Sequence, residues 1–126
     1  MPRSVSSLPP ATADDIERIF DEQRAHAPTV RATSAVQRKR KLERLCDGLR
    51  TYRSDFREAM KADFEKPPTE VDLTELKLVL DEAAHAIDHL DEWMAPDRVG
   101  TPLLFTGARS AVHYEPKGVV LVLSPW

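Results

Sequence analysis

The chain has 126 residues, enough for one hydrophobic core and too few to expect a second. Charged residues make up 31%, aromatics 6%, and the formal net charge is −3, a balance that suits a helix-rich protein and exerts no whole-chain attraction on nucleic acid or acidic lipid. The single cysteine, Cys46, excludes an internal disulfide and a multi-cysteine zinc site and suits a reducing compartment.

Residues 1–11 carry no apolar stretch of secretory length and read as a disordered leader. No run in the chain approaches the roughly 20 apolar residues that span a bilayer. The expectation is a cytoplasmic protein. Its organisation reads as a helical region over residues 12–96, then a loop and strands over 97–126.

Thr12 followed by Asp15 is a capping pair, and Ile16, Ile19 and Phe20 repeat at helical spacing on one face. This predicts a first short helix that ends before Pro28. Thr33 or Ser34 caps a second helix, in which Leu42, Leu45, Leu49 and Tyr52 recur at three- and four-residue steps. A third helical segment starts near Ser54 and is stopped by Pro67 and Pro68, which lack an amide hydrogen and disfavour helix before them. The segments form a helical hairpin with a proline hinge.

Thr69 opens the longest predicted element. Leu73, Leu76, Leu80, Ala83, Ile87, Leu90 and Met94 alternate steps of three and four, a narrow seam suited to packing on another helix. Pro96 ends it. "DRVGTPLLFTGA" then reads as a loop, "SAVHYEP" as a short half-buried strand, and "GVVLVL" as a strand with two apolar faces. Such a strand belongs in a parallel sheet covered on both sides. The preceding elements offer it at most one neighbour, so the chain reads as an N-terminal portion of a larger α/β protein.

Several residues invite a chemical role. Cys46 lies among Leu42, Leu45 and Leu49 without a glycine-rich turn or a histidine partner, and reads as a small buried hydrophobe. His85 and His89 have the spacing of a two-histidine metal face. They point away from the leucine seam with no third ligand fixed, and read as a solvated polar face. "RKRKLER", Arg38 to Arg44, spreads its charges around a helix and lacks interleaved aromatics, so no nucleic-acid partner is assigned. His113 and Tyr114, adjacent in a predicted strand, face opposite ways and read as structural. Gly48, Gly100, Gly107 and Gly118 are scattered and form no dinucleotide-binding fingerprint.

The final residues, Glu115-Pro116, Gly118-Val119-Val120 and Ser124-Pro125-Trp126, resemble the aldehyde dehydrogenase segment "EPxGVVxxIxPWN", which leads into the first strand of the family's Rossmann-type dinucleotide-binding domain. "KADFEKP" (Lys61 to Pro67), "DLTEL" (Asp72 to Leu76), "EWMAP" (Glu92 to Pro96) and "VGTPL" (Val99 to Leu103) resemble the class 3 branch, which includes fatty and aromatic aldehyde dehydrogenases. Together these pieces run in the family's order from about Ser34 to the last residue. Lys117 stands where many members have an apolar residue.

The resemblance implies an α/β parent fold, of which this chain is the mostly helical opening with two C-terminal strands. It implies NAD- or NADP-dependent oxidation of an aldehyde to a carboxylic acid through a cysteine thiohemiacetal and thioester. The family's catalytic cysteine and glutamate lie far downstream, and its oxyanion-binding asparagine follows the Pro-Trp pair. No residue here is assigned a catalytic role, and the 126-residue chain is expected to be inactive. Leu123, Ser124, Pro125 and Trp126 match positions lining the cofactor cleft. Partners implied are an aldehyde substrate and further copies in a homodimer or homotetramer. The alternative is a stand-alone helical interaction module using the Leu73–Met94 seam.

Overall fold

The computed structural model describes residues 11–123. The expected leader therefore lies outside the described residues, apart from Ala11. The chain is mostly helical with two antiparallel strands, and divides into two compact units. One contains residues up to Ala32 together with the segment from Glu115; the other is Thr33–Tyr114.

In the first unit, α1 spans Ala13–Arg31. Thr12 Oγ1 accepts from the Asp15 amide while the Asp15 carboxylate accepts from the Thr12 amide, so two of the helix's unpaired donors are satisfied reciprocally. The helix does not end before Pro28, as its sequence suggests, but carries that proline inside. Proline removes only its own donor, and the Ala32 amide still donates to the Pro28 carbonyl at 3.1 Å, closing the last turn. No residue of α1 is buried.

In the second unit, α2 spans Ala35–Thr51 and Ser34 caps it, exchanging hydrogen bonds with Gln37 at 3.3 and 2.9 Å. α3 follows as Arg53–Phe64 with only Tyr52 between. It stops at Glu65, whose φ of 56° is the left-handed geometry of a helix end. The two prolines then act in opposite senses. Pro67 is the extended N-cap of the next element, and Pro68 occupies its first position, where a missing amide hydrogen costs nothing.

That element is helical throughout but changes pitch. α4 is Pro68–Glu70, a π-helical segment covers Val71–Leu76, and α5 is Lys77–Met94. The wider π turn moves the buried face. A step of five joins Val71 to Leu76, and these are 0% and 6% exposed, whereas Leu73 is 56% exposed. The expected seam is thus correct from Leu76 onward through Leu80, Ala83, Ile87 and Leu90, and wrong at Leu73. Met94, at its far end, is also exposed.

α5 packs chiefly on α2, and the two run antiparallel. Lys39 near the start of α2 pairs with Asp91 near the end of α5 at 2.6 Å, while Arg53 just past α2 reaches Asp72. Among the described residues Cys46, Val71, Leu76 and Ala83 are the buried apolar ones, all in this unit.

The strands differ from expectation in identity. β1 is Asp97–Val99, inside the segment read as a loop, and β2 is Ser110–Val112, shorter than "SAVHYEP". They pair antiparallel with Asp97 opposite Val112, Arg98 opposite Ala111 and Val99 opposite Ser110. "GVVLVL" forms no strand among the described residues, because strand propensity is realised only against a partner edge and none is offered. β2 ends at Val112, so His113 and Tyr114 lie beyond it, and the argument from alternating strand faces does not apply to them.

Candidate functional site

Of the four residues matched to a cofactor cleft, Leu123 is described, and Ser124, Pro125 and Trp126 lie outside the described residues. What can be built is the segment that delivers them. It begins at Glu115, whose carboxylate accepts from the Arg31 guanidinium in the last turn of α1. Exposed ion pairs of this kind contribute little net stability; this one fixes where the segment leaves the helix.

Gly118 has φ 107°, a conformation that side-chain-bearing residues rarely adopt, although a Cβ there would meet no atom within 4 Å. The requirement for glycine is therefore set by backbone geometry rather than by crowding. Beyond Pro116 the segment lies against the second half of α1. Gln23, His26, Ala27 and Val30 face Val119 and Val120 across an open cleft of about 300 Å³.

The apolar ribbon then emerges. Val120 and Leu123 are 67% and 84% exposed, with Leu121 and Val122 between them similarly bare. Exposure of four consecutive residues leaves neither face of the ribbon covered by described residues. Covering each side chain fully would contribute at most about 1.5–3 kcal/mol, because unfolded chains already bury part of that surface.

A charged cluster holds the π-helical segment. Asp72 accepts from Nε and a terminal nitrogen of Arg53, at 2.9 and 2.6 Å, and from Nε of Arg57 at 2.9 Å, with a further bond from the Arg57 terminal nitrogen. Hydrogen bonds from Arg53 and then Arg57 hold its carboxyl far below the usual carboxylate range. Next to it Lys66 donates to Glu75, and that bond lowers the Glu75 carboxyl.

A carboxyl whose folded value is depressed stabilises the fold above its unfolded pKa of about 3.9, and loses that contribution as pH falls toward the folded value. Asp72→Asn should therefore melt below the parent at pH 7. The gap should shrink progressively below about pH 4, as read by thermal denaturation across pH. A gap independent of pH would assign the effect to shape rather than charge.

The remaining candidates separate clearly. Cys46 is buried, near Leu80, Ala84 and Ile87. No histidine borders that site among the described residues. The basic cluster divides, Arg38 donating to Thr33 and Lys39 to Asp91 while Arg40 and Lys41 are exposed, so no single positive stripe forms. His89 stacks on Trp93 along α5 and His85 lies tilted against both rings, so the two histidines do not stand apart as a polar face. Tyr114, exposed, borders a shallow depression with Trp93 and Pro96.

Comparison with known proteins defines the class. The family model described as the aldehyde dehydrogenase family matches residues 3–126, beginning well before Ser34. The chain belongs to the aldehyde dehydrogenase family.

Its similarity runs to the class 3 branch. It is 34% identical over 116 residues to aldehyde dehydrogenase family 3 member F1 of Arabidopsis thaliana, covering 92% of this chain and 24% of that protein. It is 37% identical over 113 residues to the putative aldehyde dehydrogenase AldX of Bacillus subtilis, covering 90% of this chain and 25% of that one. A solved structure of Staphylococcus aureus AldH in a substrate-bound state superposes with a TM-score of 0.72 at 28% identity, over 78% of this chain and 21% of that one. The chain thus spans about a quarter of the length of the relatives it matches.

Proposed function

We propose that this chain serves as the N-terminal part of an NAD- or NADP-dependent aldehyde dehydrogenase that oxidises an aldehyde to a carboxylic acid. The family match over residues 3–126, by a chain a quarter as long as its relatives, carries the reading. The bare ribbon at Val120–Leu123 supports it, since such a ribbon suits the first strand of a dinucleotide-binding domain begun by residues 97–126.

In that setting Leu123, Ser124, Pro125 and Trp126 would line the cofactor cleft. The cofactor, when bound, accepts hydride from the substrate. The contribution of this chain's own residues is positional. The Arg31–Glu115 pair and the Gly118 turn aim the segment, and the α2–α5 pair gives the second unit its rigid body. The resemblance places the family's nucleophile and base far downstream, and on this reading the 126-residue chain alone is inactive.

No described helix is long and apolar enough to cross a membrane. The single buried cysteine suits a reducing, cytoplasmic setting, with the whole enzyme a homodimer or homotetramer. The interaction-module alternative loses its surface, because Leu76, Leu80, Ala83, Ile87 and Leu90 already face inward within the second unit.

The test is an assay of NAD(P)H formation from aliphatic and aromatic aldehydes. The purified 126-residue chain should give no rate above blank. A protein in which this chain continues into the family's downstream region should turn over, with a rate unaltered by Cys46→Ser. Turnover by the 126-residue chain that Cys46→Ser abolishes would overturn the reading.

A further inference from the structure

His85 and His89 lie one turn apart on α5 with ring centroids 4.1 Å from each other. Two nitrogens held by one tetrahedral ion at about 2.1 Å sit roughly 3.4 Å apart. The rings are tilted by 36°, so His85 must turn for its in-plane lone pair to converge with His89 Nε2 on a common ion, and the separation brings the two within reach of that arrangement.

A second observation concerns the proton. His89 Nδ1 lies 2.8 Å from the His85 carbonyl oxygen, which can only accept. Nδ1 thus carries the hydrogen and Nε2 keeps its lone pair, the tautomer and outer contact that orient imidazole ligands in metal sites. Both rings reach solvent, and Asp88 and Glu92 flank them on the same helix, favouring a cation.

We propose that His85 and His89 form a two-nitrogen binding site for a borderline divalent transition-metal ion of the nickel, copper or zinc type. Imidazole is a preferred ligand for these ions, whereas magnesium and calcium take oxygen. Among the described residues no group of three or more histidine, cysteine or carboxylate side chains converges, so water fills the other positions. The proposal does not rest on the aldehyde chemistry. Trp93, its ring 5.6 and 5.9 Å from the two imidazoles, sits where its fluorescence reports occupancy.

The experiment titrates the purified chain with nickel chloride while reading tryptophan fluorescence, using zinc as a non-quenching competitor. Saturable quenching that zinc reverses is expected. Apparent nickel affinity should fall about tenfold or more in His85→Ala and in His89→Ala, with His85→Gln, a helix-compatible polar replacement, losing it equally. His26→Ala and His113→Ala should bind as the parent does. Trp93→Phe should retain calorimetric binding while losing most of the quench. Quenching that does not saturate, equal affinity in the His85 and His89 variants, or loss traced to His26 or His113 would each overturn the assignment.

Discussion

Val71→Ala should cost about 2 kcal/mol and Val71→Asp more than about 3 kcal/mol, while Leu73→Ala, two residues away, should change stability by less than about 0.5 kcal/mol. The ordering runs against side-chain size and against the regular three–four spacing that makes Leu73 look central. Val71 is fully buried, so its truncation removes apolar contact and leaves a void, and an aspartate there would be an unpaired carboxylate out of water. Leu73 is 56% exposed and loses little. Chemical denaturation of the three variants reads the difference as midpoint shifts at constant slope. Equal losses at the two positions would mean that the helix keeps α pitch through Val71–Leu76.

Ala83→Leu should destabilise by about 1–3 kcal/mol although it adds apolar surface. Ala83 is 6% exposed on the face of α5 that packs on α2, where a small side chain sets how closely the helices approach. Three extra carbons must push the helices apart or leave their rotamers. Ala84→Leu is the control: Ala84 is exposed on the same helix at an open depression beside Cys46, and the larger side chain has room there. Thermal denaturation should show the loss at position 83 and near-neutrality at 84. Loss at both would point to helix propensity, which leucine and alanine share closely enough to make that outcome contradictory.

These predictions also mark how far the sequence is readable. Caps are local, and Thr12–Asp15 and Ser34–Gln37 each form the reciprocal pair within four residues, so Thr12 and Ser34 identify their helix starts directly. Proline is ambiguous. Pro28 looks like a stop and is carried through, because one missing donor close to a helix end is a small loss, whereas Pro68 looks like a stop and also begins a helix. The π segment leaves no periodic trace, since the i to i+5 step from Val71 to Leu76 competes with a leucine at a better α position. It is set by tertiary contacts, Arg53 and Arg57 both converging on Asp72 from α3. β1 is likewise invisible: Asp97-Arg98-Val99 has little strand character and pairs because Ser110–Val112 is brought opposite.

The candidate site was legible as a motif and hardly at all as geometry. Gly118 reads as a turn glycine, and its φ of 107° shows why glycine is required there. The tie between Arg31 and Glu115 joins residues 84 positions apart and could not be paired from spacing. The contacts of His85, His89 and Trp93 follow from their intervals of four, which place all three on one helix face. Trp93 carries no chemical signature of its own beside the more regular leucine seam.

On the proposed function, the ribbon Val119–Leu123 is a strand that acquires cover only within a larger sheet. Amide hydrogen exchange on the purified 126-residue chain measures this directly. The ribbon's amides should exchange at nearly unprotected rates while those of α2 and α5 are slowed. Slow exchange across 119–123 in a monomer that unfolds cooperatively would show that the chain covers its own strand, and would contradict the assignment to a larger α/β sheet.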